Sequence, residues 1–241
     1  MPLTLSSYPN VKLKGLRFSE EVQQLSLFYR LSRRISHVVI CSLWQVRVFG
    51  RRYEPDSGGV LYLANHQSFL DPPLLCFGLQ RPVNFMAREE LFRNRQFARL
   101  IRALHAFPVK AGTADIGALK EAMRRLKSGR QVGLFPEGTR SVDGRIGPFL
   151  PGAAMLAQRA ADWTVPVLID GAVECWPRTR KLPLPGSIIV QYGQPISQAE
   201  AREYDSESFV HMVRGRVTDM QSEIRKRVGQ PVFDYSGPQA D

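Results

Sequence analysis

VLYLANHQSFLDPP, residues 60–73, sets five consecutive apolar residues directly ahead of a polar turn that two prolines close. A short apolar run bounded by turn residues reads as a strand buried on both faces, the kind found in parallel sheets covered by helices. The same texture recurs along the chain. VRVF at 46–49, NFMA at 84–87, AFPV at 106–109, VGLF at 132–135, VPVLI at 165–169 and SIIVQY at 187–192 read as further strands. Helical patterns lie between several of them, at about 72–79, 90–103, 114–127 and 152–161. The alternation predicts an α/β fold, a single central mixed sheet flanked by helices. Ser197 with Glu200 three residues on is a capping box that opens a last helical region. There Phe209, Val213, Val217, Met220, Ile224 and Val228 form one stripe, read as core packing.

Toward the N-terminus the pattern changes. Ser19 followed by Glu20 and Glu21 suits a helix start, because a hydroxyl and early acids serve the free N–H groups and the dipole. The helix is expected to run to about Trp44, with Phe28, Leu31, Ile35, Val38 or Val39 and Leu43 at helical spacing and Arg30, Arg33 and Arg34 on the other side. Such a helix suits a membrane interface, the alternative being a helix packed on its own domain. The chain thus divides into an N-terminal amphipathic, membrane-associating segment, residues 1–45, and a domain over 46–241. No run of about 18 apolar residues predicts a membrane span. The opening MPLTLSSYPNVKLKG lacks the basic start and apolar run of a signal peptide, so the expected location is the cytoplasmic side of the inner membrane, peripheral or monotopic.

Composition narrows the classes. The 241 residues hold 33 Lys and Arg against 22 Asp and Glu, a net charge of +11. Much of the excess falls in 11–52 and 81–130, regions that could attract nucleic acid, an anionic membrane or a phosphorylated substrate. No helix-turn-helix, zinc-finger or RNA-recognition signature is present, so nucleic acid is not an expected partner. Hydrophobic residues at 44% and charged residues at 23% exclude disorder, collagen and a coiled coil. Cys41, Cys76 and Cys175 are odd in number and widely spaced, which suggests neither a disulfide framework nor a cysteine zinc site, and a reducing compartment. Four scattered histidines give no metal cage, so no metal is expected.

Two polar turns carry the chemistry. Asn65-His66-Gln67-Ser68-Phe69-Leu70-Asp71 follows the strand VLYLA, at the kind of sheet edge where α/β proteins bind ligands. Asp71 before Pro72 fits a helix N-cap. If the turn curls back, its carboxylate can accept the imidazole N–H and leave the other nitrogen as a base for a hydroxyl proton. A structural histidine beside a capping aspartate is the competing reading. The second turn, Phe135-Pro136-Glu137-Gly138-Thr139-Arg140-Ser141, follows VGLF and is expected at the same edge. Glycine allows close backbone approach, and Arg140 offers a planar fork for phosphate or carboxylate. Taken singly, Glu137 could be a cap and Arg140 an ion-pair partner. No serine stands in a GxSxG elbow and no histidine neighbours Cys76 in sequence, so a nucleophile elbow is not suggested.

NHxxxxD, then AFPV with a basic residue, then FPEGTRS, then an apolar VPV strand resembles the glycerolipid acyltransferase family, whose type members are lysophosphatidic acid acyltransferases. The resemblance covers about residues 46–195. It implies an α/β domain at a membrane surface that transfers a fatty acyl group from acyl-coenzyme A or acyl carrier protein, as co-substrate rather than cofactor, to a lysophospholipid hydroxyl, most simply that of 1-acylglycerol 3-phosphate. Carried over by motif, His66 resembles the general base and Asp71 its orienting partner. Glu137, Gly138, Thr139 and Arg140 resemble acceptor-binding residues. Typical members have an arginine two residues after the Pro-Val pair, where this chain has Lys110 and then Ala111. Lys110 would then supply the positive charge from the other face of an extended strand. That departure keeps a lyso-ornithine or lysophosphatidylcholine-like acceptor open, and beside the enzyme stands a non-catalytic basic protein that binds membranes.

Overall fold

A computed structural model describes residues 27–110 and 115–235. In chain order the elements are α1 (Leu27–Leu43), β1 (Trp44–Phe49), β2 (Val60–Ala64), α2 (Asp71–Leu75), β3 (Val83–Arg88), α3 (Arg95–Ala103), β4 (Ala106–Val109), α4 (Ile116–Lys127), β5 (Gln131–Leu134), α5 (Gly152–Arg159), β6 (Trp163–Asp170), α6 (Ala172–Cys175), β7 (Gly186–Tyr192), β8 (Ile196–Ser197), α7 (Gln198–Ala201) and α8 (Ser206–Arg227).

The sheet runs β1-β7-β6-β2-β5-β3-β4, with β8 paired to β6. β2 pairs parallel with both β5 and β6, and β3 pairs parallel with β5 and β4. β7 is antiparallel to β6, so the sheet is mixed, as the alternation of strands and helices predicts. β2 is buried along its whole length. Its side chains alternate between two cores, as a pleated strand between two layers must. Leu61 and Leu63 pack with Leu126, Leu156, Phe209 and Val217 on one face, while Val60, Tyr62 and Ala64 pack with Leu74, Leu75, Val167 and Tyr192 on the other. Truncating either leucine to alanine would cost about 2–5 kcal/mol.

Several helices differ from expectation, each for a local reason. α2 has its two prolines in the first turn, where no N–H is needed, and gives way to turns after Leu75, so it is only five residues long. The 90–103 pattern splits into a 3-10 turn at Glu89–Phe92 and α3, because the Asn94 side chain accepts the Gln96 and Phe97 N–H groups and starts a new helix. Ser197 caps only the single turn α7; Asp205, accepting from Glu207 and Ser208, opens the long α8. Of the α8 stripe, Phe209, Val213, Val217 and Ile224 are buried, whereas Val228 lies past the helix end and is exposed.

α1 enters β1 without a linker and packs on the sheet through Tyr29 and Ile40. Arg33 points inward and donates to the carbonyls of Leu79 and Gln80, which corrects its assignment to the polar side. His37 stacks on Phe77 at 4.1 Å, with Nε2 3.0 Å from the Phe77 carbonyl. Leu27, Phe28, Leu31, Ile35, Val38 and Val39 face outward and are exposed. The expected helix start at Ser19 lies outside the described residues. Among the described residues no helix is long and apolar enough to cross a membrane.

Candidate active site

Because β2, β5 and β6 run in the same direction, the turns after β2 and β5 emerge at one edge of the sheet. The turn after β2 is tied down by several of its polar side chains. Asn65 bridges to β6: its Nδ2 donates to the Ile169 carbonyl and its Oδ1 accepts the Ile169 N–H, both at 2.8 Å. Asp71 is fully buried. Its Oδ2 accepts the backbone N–H groups of Gln67 at 2.5 Å and Ser68 at 2.7 Å, and lies 2.6 Å from His66 Nδ1. The carboxylate therefore organises the preceding turn, where the sequence suggested a cap on the helix that follows. Ser68 Oγ donates to the Trp176 carbonyl, which ties the turn to the segment after α6.

A carboxylate oxygen that already takes two N–H bonds acts toward His66 as an acceptor, so Nδ1 carries the proton and Nε2 keeps its lone pair. Nε2 makes no hydrogen bond within the described residues. The ring stacks on Phe135 at 4.3 Å and its side chain is 21% exposed, enough for one reacting group to reach it.

The second turn clamps the first. Glu137 Oε1 accepts the His66 backbone N–H at 2.7 Å, Oε2 accepts the Gly147 N–H at 3.0 Å, and Ser141 N–H donates to the His66 carbonyl at 2.7 Å. Burial pushes the Glu137 carboxyl up to about 7, the Gly147 and His66 amides and Arg214 pull against that, and Asp71 adds to it. Glu137 is thus a strut between loops, with both oxygens committed to backbone. Gly138 adopts φ +69°, a backbone conformation glycine enters without strain, and it turns the chain so that Gly138 and Thr139 stand exposed at the rim.

Arg140 is held flat, its guanidinium carbon 3.6 Å from the centre of the Phe69 ring, and Phe69 in turn packs on Trp176. Its Nη1 is buried without a hydrogen-bond partner. Burial and the nearby charges of Arg88 and Arg178 disfavour its cationic form, with Asp71 opposing them. Arginine keeps its proton regardless, so the edge holds a cluster of positive charge that Asp71 offsets only in part. Arg88 ends β3, past the last rung that β3 shares with β5 and opposite Val109 of β4, and Arg178 follows α6. Neither was singled out in the sequence; the signal for Arg88 was its position at a strand terminus on the edge that bears both turns.

Lys110 sits differently. It follows β4, the outermost strand, two positions across from β5 and about 10 Å to the side at ordinary strand spacing. Its N–H donates to Asp115, and it lines a hollow with Glu89, Asp115 and Glu121. Ala111 lies outside the described residues. Cys76 is no candidate nucleophile, because burial pushes its thiol up to about 12. Among the described residues no three His, Cys, Asp or Glu side chains converge as a metal site.

A histidine ready to accept a proton and an unpaired guanidinium on one edge of a mixed α/β sheet suit an enzyme that activates a hydroxyl beside an anionic group. Residues 45–170 match the family model described as Acyltransferase, more than half of the chain, and the chain belongs to that family and is an acyltransferase. It is 25% identical over 203 residues to the 1-acyl-sn-glycerol-3-phosphate acyltransferase of Bacillus subtilis, covering 84% of this chain and 99% of that one. With the chloroplastic 1-acyl-sn-glycerol-3-phosphate acyltransferase BAT2 of Brassica napus it shares 31% identity over 163 residues, 63% of this chain and 47% of that longer protein. The crystal structure of the 1-acyl-sn-glycerophosphate (LPA) acyltransferase PlsC from Thermotoga maritima superposes with a TM-score of 0.70 at 27% identity, covering 82% of this chain and 80% of that one.

Proposed function

We propose that this acyltransferase moves a fatty acyl group from the thioester of acyl-coenzyme A or acyl carrier protein to the free hydroxyl of 1-acylglycerol 3-phosphate, giving phosphatidic acid. The observation that carries the reading is the His66–Asp71 pair with Nε2 unengaged, on the same edge as the unpartnered Arg140. As the acceptor oxygen attacks the thioester carbon, its proton passes to His66 Nε2, and Asp71 stabilises the imidazolium. The C–O bond forms, the tetrahedral intermediate expels the thiolate, and the imidazolium returns the proton to sulfur. No covalent enzyme intermediate is needed, since a thioester is already activated.

The acceptor phosphate is assigned to Arg140, Arg88 and Arg178, because a dianion leaving water needs charge-assisted donors on several sides. This moves the second basic contact from Lys110 to β3. The names of the relatives support the same acceptor. Gly138 and Thr139 form the rim against which the lysolipid lies. The outward face of α1, Phe28, Leu31, Ile35 and Val38 with exposed Arg30 and Arg34 beside it, is assigned to the surface of an anionic membrane, which lysolipid reaches without leaving the bilayer. Soluble thioester donors would place this on the cytoplasmic side of the inner membrane.

Incubating the protein on liposomes with 1-acylglycerol 3-phosphate, lysophosphatidylcholine or lyso-ornithine lipid, each with acyl-CoA and acyl carrier protein thioesters, tests the assignment by mass spectrometry of the lipids. Faster turnover of the uncharged or zwitterionic acceptors would discard the phosphate site. Liposome flotation tests the surface: Leu31→Glu with Ile35→Glu should leave the protein at the bottom of the gradient, and unchanged flotation would move the contact elsewhere.

A further inference from the structure

The family match ends at residue 170, yet the segment that braces the site is held by residues far beyond it. Ile146 and Gly147 lie in a loop with no strand ladder of its own, so their peptide groups must find partners individually. All four are engaged. Gly147 N–H goes to Glu137. The carbonyls of Gly147 and Ile146 accept from Arg214 Nε and Nη2, each at 2.9 Å. Ile146 N–H donates to the Tyr235 hydroxyl at 2.9 Å, and that hydroxyl donates to Gln221 Oε1 at 2.5 Å. Arg214 also lies over the Tyr235 ring, 5.4 Å from its centre. The guanidinium fork thus grips two consecutive carbonyls from one side, while the tyrosine holds the intervening chain from another.

The same two residues continue to the reacting histidine. Gly147 N–H is one of the two amides on the Glu137 carboxylate, and the other is His66 N–H. If the dipeptide drifts, Glu137 loses one of its amide partners and its hold on the His66 backbone slackens. We propose that Arg214 and Tyr235 are positioning residues for acyl transfer, acting through the Ile146–Gly147 peptides and Glu137 to hold His66 in register with its acceptor. This rests on the reading of His66 as the base. Neither side chain need touch substrate, and the cost of losing them should fall on the chemical step, since small misplacements of a catalytic group slow reaction more than binding.

Electrostatics give the chain a second readout. The charged groups that bear on Glu137 are Asp71, the first residue of α2, which disfavours its ionised form, and Arg214, on α8, which favours it. Only the carboxylate can accept both amides at once; a protonated Glu137 gives up part of that capacity. Without the Arg214 charge, Glu137 would hold its proton to higher pH, and the acid limb of the kcat profile should move upward.

The test uses the full chain on liposomes with acyl-CoA and 1-acylglycerol 3-phosphate. Tyr235→Phe, which deletes a single hydroxyl, should lower kcat about 3–10-fold with KM for both substrates within about twofold. Arg214→Gln should lower kcat about 10-fold or more and shift the acid limb upward, while Arg214→Lys should keep the limb in place but recover kcat only in part, because an ammonium cannot grip two carbonyls as the fork does. In a Glu137→Gln background, Arg214→Gln should cost much less than it does alone. Unchanged kcat and acid limb in both Tyr235→Phe and Arg214→Gln, or a full additive loss in the Glu137→Gln background, would overturn the inference. His66→Ala separates the two readings: retained turnover there sinks the base assignment itself, whereas an inactive His66→Ala beside unaffected Arg214 and Tyr235 variants sinks only the positioning role.

Discussion

The two turns at the catalytic edge are built in opposite ways. After β2, Asn65, Gln67, Ser68 and Asp71 are all buried and hydrogen-bonded, with Gln67 Oε1 and Asp71 Oδ1 left unpartnered inside and His66 Nε2 unengaged on a ring that keeps some exposure. After β5, Gly138 and Thr139 are exposed, and Arg140 has a buried N–H group with no partner. A group that must move a proton profits from a turn that cannot relax, because preorganised geometry is needed at the moment of reaction. A group that must meet an incoming anion profits from remaining unpaired, since the ligand then relieves a cost that the free protein carries.

The sharpest way to break this contrast is at the rigid turn. His66→Ala should lower kcat about 10³-fold, within the usual range for general-base assistance, without disturbing the fold. Asp71→Asn should follow closely, because the amide can present its N–H to Nδ1 and leave the proton on Nε2. Steady-state kinetics with circular dichroism would check both, and near-normal turnover of His66→Ala would end the base assignment.

At the open turn, Arg140→Ala should raise KM for 1-acylglycerol 3-phosphate about 10–100-fold and change little for a lysolipid without an anionic head group. Arg140→Lys should lie between, having kept the charge but lost the fork and the stack on Phe69. Equal losses on both acceptors would mean that Arg140 holds structure and not phosphate.

Glu137 joins the two turns, and its raised pKa makes the joint pH-dependent. A carboxyl that titrates near 4.5 in the unfolded chain and about 7 in the folded one binds more protons when folded over that window, so stability falls as pH rises through it. Between pH 5 and pH 8 the change is about 2–3 kcal/mol. Denaturant unfolding at pH 5 and pH 8 should show this decline in the native chain and not in Glu137→Gln. An identical pH response in the two proteins would mean that Glu137 is far more solvated than its enclosure implies.

The smallest effects should separate the turns most cleanly. Ser68→Ala strands the Trp176 carbonyl and the Leu70 N–H and should cost about 1–2 kcal/mol of stability. Thr139→Ala should stay within about 0.5 kcal/mol, as expected for an exposed side chain that makes no hydrogen bond among the described residues. A raised acceptor KM in Thr139→Ala would instead give the threonine the rim contact that the motif implies.

Local sequence alone was sufficient for a good part of this molecule. Apolar runs such as VLYLA and VGLF are strands because only burial on both faces accommodates them, and polar turns placed straight after parallel strands must share an edge. His66 with Asp71 was legible for the same reason, being five residues apart within one turn. Strand order is another matter, since it follows from the packing of the whole chain. It set β3, which ends in Arg88, between β5 and β4 and left Lys110 just past the end of the outermost strand, a distinction that no window of sequence around either residue contains. The helix pattern of α1 was readable, but which arginine turned inward was decided by the free carbonyls of Leu79 and Gln80, more than 40 residues away. Tertiary structure likewise brought Arg214 back onto Gly147 and Tyr235 onto Ile146, across separations of 67 and 89 residues. Loop peptides have no ladder to satisfy them, so their partners come from wherever the fold returns a donor or acceptor, and sequence proximity carries no trace of that choice.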